Sequence, residues 1–197
     1  MNTLIDALAA DFENFAPEMV ASPKASAYRI YRDTRFSKNK APYKTHVAAV
    51  FPRQGLGKHE GAGFYVHIAC DEVLVGGGLY MPLPEDLVAL RSHISGNWGQ
   101  LRTIVKSPSF RRLLGDINGE QLVRVPRGFA ADHPGADYLR MKQFLAGRTL
   151  DPKVATTAKF YPLVVETFRT MLPFIRFLNE PIVRRHRIRE RQEQMLR

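Results

Sequence analysis

Apolar residues recur at three- and four-residue steps at the start of the chain, at Leu4, Leu8, Phe12, Phe15 and Met19. That spacing predicts a helix over residues 2–20 with one buried face, limited at its end by Pro17 and Pro23. The period then changes. Tyr28 and Ile30 alternate with Arg29 and Tyr31, which predicts a strand over 27–32. Residues 33–44 hold the turn formers Asp33, Asn39 and Pro42, and HVAAVF at 46–51 reads as a second strand. A glycine-rich connection over 52–63 leads to two apolar runs, Phe64–Cys70 and Val73–Leu79, whose short Asp71-Glu72 break predicts an antiparallel hairpin. Gly76, Gly77 and Gly78 near its end call for a bulge or for close approach by another backbone or a ligand.

Helical periods dominate the remainder. Leu87, Leu90, Arg91 and Ile94 share a face in a helix over 84–95, a second helix is predicted over 97–105, and a third runs from Pro108 to Gly115. Residues 120–125 alternate like an edge strand, and Asp132 with Pro134 predicts a capped helix over 134–142. Phe144–Leu150 is ambiguous, and Asp151-Pro152 repeats the cap-then-proline pattern. Val164, Val165, Phe168, Met171, Leu172 and Ile175 fit a helix that Pro173 must kink or split, and Pro181 is expected to begin a final arginine-rich helix. Strands cluster in the middle and helices surround them. The expected class is α+β, a mostly antiparallel sheet packed with several helices and a helical C-terminal third. At 197 residues and 45% hydrophobic content, one domain spanning 1–197 with a real core is expected.

Charge changes the picture. A net charge of +10 favours acidic partners such as phosphorylated metabolites or nucleic acid. The surplus concentrates in residues 29–46, RIYRDTRFSKNKAPYKTH, with six Lys or Arg in eighteen positions and a single acid, Asp33. Burying so many unpaired cations would cost several kcal/mol or more apiece. The segment is therefore either a solvated surface or a site for an anion. If residues 33–44 fold back, Arg29, Arg32, Arg35, Lys40 and Lys44 can converge on a phosphate or carboxylate, with Tyr31 and Tyr43 in support. The alternative is a loop of cations that pair with acids elsewhere.

Other chemistry is incomplete in the chain. Gly55 and Gly57 begin a dinucleotide fingerprint, but residue 60 is Glu, and Gly57-Lys58 is followed by His59 where a phosphate loop needs Ser or Thr. The six histidines show no zinc spacing, so no metal is assigned, and no cofactor is implied. The lone Cys70 sits in FYVHIAC and is expected to be a small buried hydrophobe; it leaves no disulfide partner. No apolar run approaches the ~20 residues of a membrane span, and no signal-peptide pattern opens the chain, which gives a cytoplasmic expectation and no membrane partner. In the C-terminal run, Arg184, Arg187 and Arg191 fall on one helical stripe, either a solvated helix end or a phosphate-backbone contact.

RIYRDTRFS at 29–37, followed by Asn39-Lys40 and PYKTH at 42–46, resembles the signature of the uncharacterised family catalogued as domain of unknown function 2461. The resemblance continues through GAGFYVHI at 61–68, Gly76-Gly77-Gly78-Leu79-Tyr80, Pro82, Arg91, Pro126-Arg127-Gly128-Phe129 and Leu139. It implies a conserved hypothetical protein widespread in bacteria and supplies no reaction. It also implies that relatives begin with a further helical segment, so that Met1 lies in what would be the next helix; if that segment covers the basic pocket in relatives, the pocket is more open in this chain.

The functional expectation is a cytosolic domain binding an anionic or phosphate-bearing ligand through Arg29, Tyr31, Arg32, Arg35, Lys40, Tyr43 and Lys44. Three alternatives stand beside it: a phosphoester hydrolase or transferase with Asp33 or His46 as base, a nucleic-acid-binding module, and a structural or protein-interaction domain.

Overall fold

A computed structural model of the chain describes residues 1–32, 35 and 40–195. Helix α1 (Asn2–Phe15) and a short α2 (Pro23–Ser26) precede three strands, β1 (His46–Phe51), β2 (Gly63–Ala69) and β3 (Val73–Leu79). Helices α3 (Pro84–Gly96), α4 (Trp98–Val105), α5 (Pro108–Leu114) and α6 (Ala136–Leu139) follow. Strand β4 (Phe144–Leu150), a 3-10 turn at Pro152–Thr156 and the long α7 (Phe160–Met195) complete the chain. The four strands lie in the order β1-β2-β3-β4, every neighbour antiparallel, so the α+β expectation holds.

Alternation along the strands divides the sheet into two faces. Phe51, Phe64, Val66, Val73, Val75, Leu79 and Phe144 point to the side covered by α1 and α7, and all are fully buried. Phe64 stacks on Phe168 of α7 at 4.5 Å, and Phe12 of α1 packs edge-on against Phe51 at 5.4 Å. At Gly78 the backbone has φ +129°, and a Cβ there would run into the carbonyl oxygen of Phe144. The glycine run on β3 thus serves a close approach of β4, one of the outcomes that its sequence anticipates.

Several elements differ from the sequence reading. Helix α1 ends at Phe15, not at residue 20, because Pro17 pushes Ala16 out of the helical region, to φ −141° and ψ 54°. Met19 instead bridges Arg53 in extended conformation. Residues 27–32 make two isolated bridges, Ala27 with Ala49 and Tyr31 with Tyr43, rather than a strand. Ser22, capping α2 through the Ala25 N–H, starts a helical turn that the apolar pattern does not show. Residues 120–125 form no strand of the sheet and make one isolated bridge, Gln121 with Met141. The helix expected over 134–142 shrinks to α6, capped by Gly135 and not Asp132. Arg91 accounts for that early end, since it takes the Leu139 and Met141 carbonyls at 2.9 and 3.0 Å.

Pro181 does not begin a helix: α7 runs through both Pro173 and Pro181. An interior proline costs ~3 kcal/mol. Around these two, Met171, Phe174, Ile175, Phe177, Leu178 and Ile182 are all 2% exposed or less. Each contributes about 1.5–3 kcal/mol by burial, which outweighs both prolines. Cys70 is exposed rather than buried, because it falls in the β2–β3 turn where no sheet face covers it. No helix among the described residues is long and apolar enough to cross a membrane.

Candidate functional site

The sheet face away from α7 carries a trough of about 670 Å³. Strand register makes its floor. Val50, Tyr65, Gly76 and Gly147 lie in one row across the four strands, and Gly63, Gly78 and Leu145 form the next. Gly76 and Gly147 face each other so closely that a Cβ on Gly147 would sit 2.9 Å from the Gly76 Cα. With no side chains there, bare backbone and small apolar groups form the bottom.

Cations and aromatics form the walls. Lys44 and His46 come from the basic segment, Tyr28 from the residue just before it, and Lys58 and His59 from the β1–β2 connection. Two ammonium groups share one ring: Lys58 Nζ stands 4.2 Å and Lys44 Nζ 5.3 Å from the Tyr28 ring centre. Lys58 also donates to the Ala27 carbonyl at 3.0 Å, leaving N–H donors for a guest. His59 stacks on the Tyr28 ring at 6.1 Å. No carboxylate lines the trough among the described residues.

The electrostatics match that imbalance. Burial lowers the Lys58 pKa, and the Lys44 charge lowers it further. His46 is also shifted down, first by burial and then by His67 and Lys44. The Tyr28 phenol is raised by burial. Each shift is the response of a group held among positive charges or away from water.

The sequence-predicted residues divide. The basic segment does fold back: Arg32 N–H donates to the Pro42 carbonyl at 2.9 Å and Lys44 N–H to the Ile30 carbonyl at 2.8 Å. Lys44 and His46 reach the trough. Tyr31 and Tyr43 pack against each other at 5.5 Å and are 64% and 55% exposed, outside the trough lining. Arg29, Arg35 and Lys40 are exposed and Arg32 is half-buried. Asp33 lies outside the described residues.

Lys58, His59, Tyr65, Tyr80, Asn118 and Thr149 also line the trough, and the sequence reading missed them as site residues. For Tyr65 a signal existed, since strand alternation places it with Gly63 and His67 on one face. The glycine-rich connection owes its form to the residue that spoils the dinucleotide motif: Glu60 accepts the Gly57 N–H at 2.7 Å, the kind of donor a phosphate would otherwise take. Among the described residues no group of three His, Cys, Asp or Glu is placed to hold a metal.

A second cavity of about 690 Å³ runs along α7, where Arg184, Arg187 and Arg191 share a stripe with Arg53 and Arg176. Its cations are partly compensated, with Glu18 2.6 Å from Arg176 and Glu180 3.8 Å from Arg184.

No curated protein matches the chain, and no solved structure matches it either. A family model does, over residues 1–177, most of the chain and every strand of the trough. The chain belongs to that family, described as conserved hypothetical protein (DUF2461).

Proposed function

We propose that the protein binds a small anionic ligand in the sheet trough, with Lys44 and Lys58 as the direct anion contacts and Tyr28 and Tyr65 as flanking surfaces. The ligand class is a phosphate or carboxylate attached to a flat organic body. The observation that carries this reading is the pair of ammonium groups over one tyrosine ring, in a trough lined by no acid among the described residues. A bound anion would relieve their mutual repulsion and satisfy the remaining Lys58 donors. The glycine floor and apolar strand positions suit an unsaturated or cyclic body, and 670 Å³ falls within the roughly 300–1,000 Å³ typical of small-molecule sites. Arg29, Arg32, Arg35 and Lys40, a few residues away along the chain, add long-range attraction rather than contact, and Tyr31 and Tyr43 brace the segment that presents Lys44.

Calorimetric titration with adenosine monophosphate, inorganic phosphate and adenosine tests the reading. The monophosphate should bind, should weaken at high salt, and should exceed both phosphate and adenosine in affinity. A charge-assisted hydrogen bond contributes about 1.5–3 kcal/mol, so Lys58→Ala should weaken binding about 10- to 100-fold. Absence of binding by both phosphate-bearing probes at low salt, or affinity unchanged from wild type in both Lys58→Ala and Lys44→Ala, would remove the proposal.

A further inference from the structure

From Tyr65, which lines the trough, a hydrogen-bonded chain of side chains runs on to His67 and Glu72, two groups to which the anion reading gives no part. Tyr65 Oη lies 3.2 Å from His67 Nδ1, and His67 Nε2 lies 3.1 Å from Glu72 Oε1. The hairpin builds it. Tyr65 and His67 are two apart on β2, so they share the trough face. The Ala69 N–H donates to the Glu72 carbonyl at 2.8 Å, which sets Glu72 opposite Ala69 and diagonal to His67. The proton positions follow from the partners. With Glu72 as a carboxylate that only accepts and His67 as a neutral imidazole, Nε2 carries the ring proton, Nδ1 is the acceptor, and the Tyr65 hydroxyl donates to it.

We infer that Tyr65 is a nucleophile of the trough, with His67 as the base that takes its proton and Glu72 as the carboxylate that orients His67. The arrangement has the form of a nucleophile, a base and an orienting acid. The reaction class is transfer of an acyl, phosphoryl or like electrophilic group from a donor that enters the trough. Oη forms a bond to the electrophilic centre as the bond to the leaving group breaks. The leaving group departs with that electron pair, the hydroxyl proton moves to His67 Nδ1, and the resulting imidazolium faces Glu72. Burial first, then Tyr28 and Glu72, raises the Tyr65 pKa, so a standing phenolate is disfavoured and proton removal must accompany attack. The charged and titratable groups around the chain are Tyr28, Lys44, His46 and Lys58. His46 sits 5.2 Å from His67, and burial favours its neutral form, which limits its repulsion of an imidazolium.

The inference needs the trough to admit a ligand, but it does not need the two lysines to hold an anion. The probe is carboxyphenyl sulfonyl fluoride, whose sulfur takes the place of the electrophile and whose fluoride leaves. Intact protein and peptide mass spectrometry should find one adduct, on Tyr65 and not on the other six tyrosines. His67→Ala should slow that labelling about 100-fold, as expected for loss of a general base, and free imidazole should restore it. Rescue separates a base from a merely structural role. Glu72→Gln, a change at a half-exposed side chain, should slow labelling without altering the far-UV dichroism. Labelling spread over several tyrosines, labelling confined to Lys58, or a Tyr65 rate equal in wild type and His67→Ala would overturn the inference. Inorganic phosphate as competitor tells the two readings apart. His67-dependent labelling that phosphate does not slow would leave the nucleophile standing and count against the anion site.

Discussion

Replacing Asn179 probes how α7 holds the start of β2, and with it one wall of the trough. Asn179 is 1% exposed inside the helix, and its amide pairs with a single residue as a strand would. Nδ2 donates to the Ala62 carbonyl at 2.8 Å, and Oδ1 accepts from the Ala62 N–H at 2.9 Å. Ala62 is fully buried, so Asn179→Ala strands one backbone donor and one acceptor away from water. At about 1–3 kcal/mol for each unsatisfied group, the loss should be roughly 2–6 kcal/mol. A melting temperature moves about 2–4 °C per kcal/mol in a chain of this size, which gives a fall of roughly 4–24 °C. Urea unfolding, followed by the fluorescence of the sole tryptophan, Trp98, and by circular dichroism, measures it.

Asn179→Asp sharpens the test. The acceptor for the Ala62 N–H survives, but the donor becomes an oxygen facing the Ala62 carbonyl. A buried carboxyl in that position has a folded-state pKa raised above the unfolded ~3.9. The folded state then binds more protons, so stability falls as pH rises. The variant should be least impaired below the unfolded value and most impaired above the folded one. A loss under ~0.5 kcal/mol for the alanine variant, or a pH-independent deficit for the aspartate variant, would refute the account.

Two further perturbations follow from the same kind of reasoning. Arg91, 8% exposed, uses Nε and Nη2 for two carbonyls, which a lysine ammonium on its flexible stem cannot match; Arg91→Lys should lose about 1–3 kcal/mol in urea unfolding, and an unchanged midpoint would contradict the clamp. Glu18 is held below its ordinary pKa of 4.5, chiefly by the Arg176 guanidinium 2.6 Å away. Its contribution is therefore present above that value and is lost as pH falls through the lowered one. The stability gap between wild type and Arg176→Ala should shrink on acidification, and a gap that widens there would exclude this origin.

The elements that local chemistry specifies were legible in the chain. The hairpin β2–β3, strand β1 and helices α3 to α5 fall where alternation, helical period and prolines put them. The elements that depend on distant partners were not. Residues 27–32 lost their strand because their pairing is split between two segments, Ala27 bridging Ala49 and Tyr31 bridging Tyr43. Helix α7 kept its continuity because burial on the sheet outweighs the backbone defect of two prolines, a balance invisible without the sheet. The site divides in the same way. The density of cations around residue 40 is a property of the sequence, and so is the glycine run on β3.

By itself, then, the chain determined the α+β class, the hairpin, the family membership and the surplus of positive charge near the sheet. Tertiary structure decided which of those charges meet. Lys58 and Lys44 are fourteen positions apart and share a ring only because strand β1 and its flanking loop return the chain to Tyr28. Tyr65, His67 and Glu72 align because antiparallel register fixes diagonal neighbours across a turn. Local propensity acts over a few residues, whereas convergence of charge is set by packing between segments, and a linear pattern carries the first and not the second.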